Sequence, residues 1–238
     1  MSVNVNTVYS RVLAIMNKEQ RGYLTPQEFN IFANQAQMDI FEQYFYDLNQ
    51  FLRLPGNSTG HADMVDILNE KIGIFTKTAA LVYGSTSFNK PTDLYRLTSI
   101  EYNGVTADRL TRKEFLQINK SPLTKPSNAF PVYTELADGY DVQGDDEFNT
   151  ADQSGAPRVI IEYIRRPVAP SWVSLSLGLN SGVALYNATS SVNFELHDSE
   201  ETELVIKILQ LAGMAIKDIN LANFAGSEDI KSIQQEKA

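Results

Sequence analysis

The stretch from Asn17 to Glu28 has part of the spacing of a calcium-binding loop. With Gly22 at the sixth position of such a loop, Glu28 falls at the twelfth, as in an EF-hand. The first position, however, holds Asn17 instead of an aspartate, and the fifth holds Arg21, a cation where a ligand oxygen belongs. A capped turn between two helices accounts for the same residues without a metal. We favour that interpretation and expect no metal site.

Residues typical of other catalytic sites are few or irregularly spaced. The chain has no cysteine, which excludes disulfides, thiolate nucleophiles and zinc–thiolate sites. Its two histidines, His61 and His197, have no second histidine at ligand spacing, and we interpret both as surface residues. The G-x-G-x-x-G and H-E-x-x-H motifs are absent. The acidic residues between Asp138 and Asp152 have no regular spacing, which is typical of a solvent-exposed loop. We therefore expect no catalytic residue and no cofactor.

Two arginines and the only tryptophan follow the end of a predicted strand. Arg165 and Arg166 precede Pro167, which ends strand pairing, and Trp172 lies shortly beyond it. Arginine beside an aromatic residue is typical of protein interfaces, although Trp172 packing beneath a loop is an equal alternative. Gly213 interrupts a predicted C-terminal helix, where a glycine indicates a close helix crossing. Arg165, Arg166, Trp172 and Gly213 are the candidate subunit or partner contacts.

Apolar residues three and four positions apart predict three helices in the first third of the chain. The first covers residues 8–16 and the third covers residues 62–75. Between them, Thr25 is a predicted N-cap and Glu28, three residues later, closes a capping box. This second helix has a wide apolar face and continues until Pro55.

A change of the apolar period to two predicts strands in the middle of the chain. They cover residues 79–83, 94–102, 132–136, 139–143, 158–165 and 192–196. Asn103-Gly104 and Asp138-Gly139 lie where tight hairpin turns need a positive φ. Helix returns at Asp198, which forms a predicted capping pair with Glu201 and begins a segment with two adjacent apolar stripes.

These elements predict an α+β fold, in which N-terminal helices and a C-terminal helix form a layer packed with a mostly antiparallel β domain. The predicted parts are N-terminal helices at 1–78, a β domain at 79–197, a C-terminal helix at 198–225 and a flexible tail at 226–238. We expect the C-terminal helix to pack on the N-terminal helices. Its second apolar stripe needs either those helices or a neighbouring subunit for cover.

Composition limits the class of protein. The 238 residues include 43% hydrophobic side chains, which excludes wholesale disorder, and 20 basic against 29 acidic residues give a net charge of −9. An acidic balance argues against sequence-specific nucleic-acid binding, which needs a clustered basic surface. Without an apolar run of membrane-spanning length or a signal-peptide pattern, we expect a protein made and kept in a cytoplasm.

Several patterns resemble the head-to-tail adaptor and neck-ring proteins of short-tailed bacteriophages, most closely those of crAss-like phages. Residues 17–45 resemble their opening helix pair, and 194–221 their closing helix. Pro91 to Leu97 is similar to their P-x-D-[FL]-x-R-L beginning of a strand, and Ile161 to Pro167 matches their Y-x-R-x-P strand end. Residues 143–155 and 175–189 have no clear counterpart, so their partner contacts stay open.

The resemblance implies a virion structural protein without an active site. Its subunits would form a ring of about twelve copies in the neck, joining the portal protein to other neck or tail rings. Packaged DNA would pass through the ring without sequence-specific binding, and the acidic net charge is compatible with that. The protein would lie in the virion neck or tail, after assembly in the bacterial host cytoplasm.

One alternative function belongs to another class. The β domain alone can be the module of a tail or surface complex that binds a carbohydrate or peptide. An enzyme, such as a metal-independent hydrolase, has the least support, since no carboxylate pair stands out among the 29 acids.

Overall fold

The structure, a computed structural model, describes residues 2–18, 24–53, 59–84, 87–144, 158–175, 185–215, 225–227 and 230–231. Two compact units divide these residues: one from Met1–Ile74 and Pro167–Ala238, and one from Phe75–Arg166. We call them the helical unit and the sheet unit. No helix in the described residues is long and apolar enough to cross a membrane.

The predicted α+β class is confirmed, since helices dominate one unit and mostly antiparallel strands the other. The helices are α1 (Val5–Lys18), α2 (Pro26–Arg53), α3 (Thr59–Gly73), α4 (Arg112–Ile118) and α5 (Glu201–Ala215). The strands are β1 (Thr76–Ala80), β2 (Phe88–Asn89), β3 (Leu94–Tyr102), β4 (Val105–Thr106), β5 (Asp108–Arg109), β6 (Val132–Glu135), β7 (Gly139–Gln143), β8 (Val159–Arg165), β9 (Ser174–Leu175) and β10 (Leu185–Tyr186).

Helix α5 packs against α1 and α2 in the helical unit, as the sequence predicts. Both of its apolar stripes are buried there: Leu204 and Ile208 belong to one stripe, and Val205 and Leu209 to the other. In the described part of α5, the N-terminal helices of the same chain therefore cover the second stripe, which is the first of the two alternatives that the sequence left open.

Helix α2 begins where its capping residues predict. The Thr25 hydroxyl accepts a hydrogen bond from the backbone N–H of Glu28 at 3.3 Å, and the Glu28 carboxylate accepts the Thr25 N–H at 2.9 Å. These bonds pair two of the donors that a helix N-terminus leaves unsatisfied. The bond from the Thr25 N–H, together with one of 2.8 Å from the Thr25 hydroxyl to the same carboxylate, holds the pKa of Glu28 below its usual range. Leu24 and Phe29 are both buried beside the cap, as in a hydrophobic staple.

The cap before α5 differs from the predicted Asp198–Glu201 pair. A 3-10 helix, Asp198–Glu200, precedes α5, so the capping residue moves one position earlier to His197. The His197 ring nitrogen Nδ1 accepts the Ser199 N–H at 3.3 Å, and the imidazole is exposed, as predicted. The side chain of His61 lies outside the described residues.

The predicted β domain at 79–197 is too long, because residues from Pro167 onward belong to the helical unit. The predicted strand at 192–196 is wrong. Only Val192 forms a bridge, to Ser171, while the Phe194 N–H donates to the carbonyl of Val3 at 3.1 Å. The alternation of apolar and polar residues at 192–196 indicates an extended backbone, but it does not indicate which of the two units the segment packs in.

The sheet unit contains two four-stranded sheets. In the first, the strand order is β1-β8-β3-β4 and every pair is antiparallel. In the second, the order is β2-β7-β6-β5, with β5 and β6 parallel. One cluster of buried residues takes side chains from both sheets, including Ile100, Ile161 and Tyr163 from the first and Tyr133 and Tyr140 from the second.

The structure requires a glycine at the two predicted turns, Gly104 and Gly139, for different reasons. Asn103 and Gly104 have φ of 50° and 78°, as a primed hairpin turn between β3 and β4 requires. Gly139 does not have a positive φ and is instead the first residue of β7. A Cβ there would meet the Phe88 carbonyl oxygen and would lie 2.6 Å from the Ser87 hydroxyl. Close approach of the backbone, rather than turn geometry, requires this glycine.

We expect Gly139→Ala to lower the free energy of unfolding by about 1–3 kcal/mol, because β2 must move to admit the methyl group. Gly73→Ala is the matched control. Gly73 ends α3 with nothing within 4 Å of its Cβ position, so this variant gains about 0.4–1 kcal/mol. Urea denaturation of both variants measures the difference, and equal midpoints would contradict the close-approach explanation.

Candidate functional site

The two strand patterns that carry the resemblance meet at the carboxylate of Asp93. The hydroxyl of Tyr163, 70 residues later in the chain, donates to Asp93 Oδ1 at 2.7 Å. Lys77 forms an ion pair with the other oxygen, with Nζ 2.9 Å from Oδ2. The backbone N–H of Arg166 donates to the Asp93 carbonyl at 2.8 Å. We call Lys77, Asp93 and Tyr163 the Asp93 junction.

Strand pairing explains why these residues come together. Tyr163 lies on β8, an inner strand of the first sheet, opposite Lys77 on β1 and Leu97 on β3. Asp93 comes directly before β3, whose first residue, Leu94, is opposite Arg165 near the end of β8. The start of one pattern therefore lies beside the end of the other, and the junction joins three strands at one end of the sheet.

The electrostatics of the junction favour one fixed protonation state. The hydrogen bond from Lys77, and to a smaller extent the one from Tyr163, holds the pKa of Asp93 below its usual range. The same ion pair raises the pKa of Lys77, while burial and then the bond to Asp93 raise the pKa of Tyr163. The Asp93 carboxylate therefore stays ionised and the Tyr163 phenol stays protonated near neutral pH. General acid–base catalysis needs a pKa close to the working pH, so this arrangement suits a structural role better.

The lowered pKa of Asp93 predicts a loss of stability in acid. Its stabilising contribution is fully present above the unfolded-state value of 3.8 and disappears as the pH falls through the lower folded-state value. We expect Asp93→Asn to lower the urea midpoint at pH 7. The gap between variant and wild type should then narrow from about pH 5 to pH 2. A gap that stays constant over this range would contradict the ionised junction.

Arg165 and Arg166 differ in exposure at the end of β8. The Arg165 guanidinium carbon lies 5.9 Å from the centre of the Phe75 ring, and its Nη1 is 3.4 Å from the Arg166 carbonyl oxygen, so this side chain is partly held by its own unit. The side chain of Arg166 is exposed. Arg166 is therefore the better placed of the two candidate contacts.

Trp172 is buried within the helical unit and is not an exposed contact. Its side chain is 3% exposed, and its ring centre lies 4.4 Å from that of Tyr9 on α1. The indole N–H donates to Asn6 Oδ1 at 3.0 Å, and the Trp172 backbone bonds in both directions to the Asn30 amide on α2. The structure thus favours the alternative in which Trp172 packs beneath the chain, and its proposed interface role is corrected.

Gly213 is buried in α5. Its predicted place at a close helix crossing stays a prediction. The calcium-like stretch lies partly outside the described residues, which stop at Lys18 and resume at Leu24, and the acidic segment after Gly144 is likewise outside them. In the described parts of the chain, no three His, Asp or Glu side chains are grouped as metal ligands.

A cleft between α2, α3 and the start of α5 was not predicted from the sequence. It is lined by Tyr44 and Asp47 from α2, Lys71 from α3, and Glu200 and Glu203. Lys71 forms a 2.6 Å ion pair with the buried Glu200 and lies 5.4 Å from the centre of the Tyr44 ring. Since these partners come from different helices, the polar groups of the cleft tie the helices together.

Sequence reasoning also missed α4 and the loop after it. The signal was present, because Thr111 and Glu114 have the spacing of a capping box and form one in the structure. The loop exposes two large apolar side chains: Leu123 is 94% exposed and Phe130 is 78% exposed. Hydrogen bonds fix this loop, including one of 3.0 Å from the Thr124 hydroxyl to the Ile118 carbonyl.

In comparisons with known proteins, no family model matches the chain, and no curated protein matches it.

Proposed function

We propose that this chain is a non-enzymatic structural subunit of a short-tailed bacteriophage virion, forming a ring in the neck that joins the portal to the tail around the DNA channel. About twelve copies would form the ring. The partners would be further copies of the chain, the portal protein and other neck or tail rings. Packaged DNA would pass through without sequence-specific contacts.

The observation that carries the proposal is the contact between Asp93 and Tyr163. Asp93 is the fixed aspartate of the P-x-D-[FL]-x-R-L pattern, and Tyr163 is the fixed tyrosine of Y-x-R-x-P. Each pattern is degenerate, and nothing in their sequences requires that they touch. The fixed positions nevertheless form a 2.7 Å hydrogen bond across 70 residues. This pairing supports treating the two patterns as one structural feature.

The chemistry of the junction also suits a subunit that must withstand mechanical force. It joins the ends of β1, β3 and β8 by an ion pair and hydrogen bonds that include side chain and backbone. A sheet tied at this end resists separation of its strands. Such resistance is useful in a ring that holds packaged DNA in the head.

Electron microscopy of the chain mixed with portal rings from the same phage tests the proposal. We expect an added ring of density on one face of the portal, and portal alone and the chain alone serve as the controls. Portal rings without added density would contradict the proposal. A monomer that instead binds a carbohydrate or peptide would support the alternative binding module.

A further inference from the structure

The charge of the chain is unevenly distributed, and its basic part runs from β5 through α4 into the loop that follows. Residues 108–130 contain five basic and two acidic residues, a net charge of +3, so the rest of the chain carries −12. Lys113, Lys120 and Lys125 are exposed there together with Leu123 and Phe130. We call these five residues the basic segment. Exposed apolar groups rimmed by polar residues are typical of an interaction surface.

Hydrogen bonds hold the loop of the basic segment in one conformation. The Thr124 N–H donates to the Ser121 carbonyl at 3.2 Å, and the Phe130 N–H donates to the Ser127 carbonyl at 3.0 Å. The exposed side chains therefore project from an ordered backbone, which reduces the entropy lost when a partner binds.

The outer side of α2 has the complementary character. Ile31, Asp39, Glu42 and Tyr46 follow helical spacing along one exposed stripe, which we call the acidic stripe. Ile31 is 67% exposed and Tyr46 is 65% exposed, while Asp39 and Glu42 supply the negative charge between them. Ile31 and Tyr46 lie on either side of the two acids along the helix, so a partner that pairs with both carboxylates can also cover apolar side chains.

We infer that the basic segment of one copy of this chain docks on the acidic stripe of a second copy. The two surfaces match in charge, and each adds exposed large apolar side chains that the contact would cover. The two surfaces are different parts of the chain, so one copy can use each of them with a different neighbour. Repeated in this head-to-tail way, the contact is heterologous and generates a closed ring when the rotation between copies closes. The inference rests on the proposed ring function and names the surfaces that build it.

Charge-reversal variants test this contact by multi-angle light scattering and native mass spectrometry. One variant carries Lys120→Glu and Lys125→Glu, and the other carries Asp39→Lys and Glu42→Lys. Each places like charges on both sides of the contact, and we expect at least a roughly tenfold rise in the concentration needed for assembly. In the described residues none of these four side chains packs in the core, so both variants should keep the wild-type melting temperature.

Mixing the two defective variants gives the sharpest result. Copies with reversed stripes and copies with reversed segments can alternate, because each contact then pairs opposite charges. We expect the mixture to assemble at nearly the concentration that the wild type needs. A variant that carries all four substitutions should do the same, and it has the wild-type net charge of −9. Asp66→Lys with Glu70→Lys, two exposed acids on α3, controls for net charge alone and should assemble normally.

The outcomes separate this inference from the proposed function. If the wild type assembles and neither reversal weakens it, or if mixing gives no rescue, the docking surfaces are wrong while the ring proposal stands. If the wild type is monomeric under all conditions, both fail. Defects that are restored by mixing would support the segment-to-stripe contact.

Discussion

We expect Trp172→Ala to lower the free energy of unfolding by about 3–5 kcal/mol, the largest loss that we predict for a single substitution. The alanine leaves a cavity beside Tyr9 and removes the indole donor to Asn6. Because Trp172 connects α1 and α2 to the segment after Pro167, the helical content should also be lost at a lower urea concentration. Urea denaturation followed by far-ultraviolet circular dichroism measures both.

Two controls define this result. Trp172→Phe keeps most of the aromatic packing and loses the N–H, so its loss should be clearly smaller than that of alanine. Phe130→Ala removes a largely exposed aromatic residue, and it should change the free energy of unfolding by less than about 0.5 kcal/mol. A Trp172→Ala variant that unfolds like the wild type but assembles poorly would contradict this account and show that Trp172 acts in a subunit contact.

The second large effect concerns Gln37, whose side chain is fully buried on α2. Its amide donates to the Val168 carbonyl at 2.8 Å and accepts the Glu195 N–H at 3.1 Å, so one side chain pairs with two separate extended segments. We expect Gln37→Leu to lower the free energy of unfolding by about 2–4 kcal/mol, because both backbone groups lose the partner that the fully buried Gln37 amide supplies.

Gln35→Leu is the matched control, because Gln35 lies on the same helix but is exposed and bonds only to Asp39 among the described residues. We expect it to stay within about 0.5 kcal/mol of the wild type. Urea midpoints of the two variants give the comparison. Equal losses would mean that the two Gln37 hydrogen bonds contribute no more than general helix packing.

Local signals allowed much of the fold to be predicted. The Thr25 cap and Glu28 fix the start of α2, since a capping box needs only residues that are close in sequence. Period-two alternation likewise placed β3 and β7 at their observed bounds. The same logic applied to Thr111 and Glu114 would have found α4, although its few residues give a weak apolar period.

Long-range pairing set the features that the sequence did not reveal. The segment after Pro167 joins the helical unit because Asn30 and Gln37 on α2 bond its backbone, a role that their positions in a helix do not disclose. The burial of Trp172 follows from the same pairing. The Asp93 junction needs three strands in register, so the sequence showed its separate patterns but not their contact.

The native mass of the purified chain tests the central claim most directly, since a ring subunit must associate with itself. Native mass spectrometry over a wide concentration range, at low salt, should show one closed species of about twelve subunits, without a ladder of open intermediates. Raising the salt should dissociate it, because exposed charge pairs are screened within about 3 Å at 1 M. A chain that remains monomeric at every concentration would contradict the account.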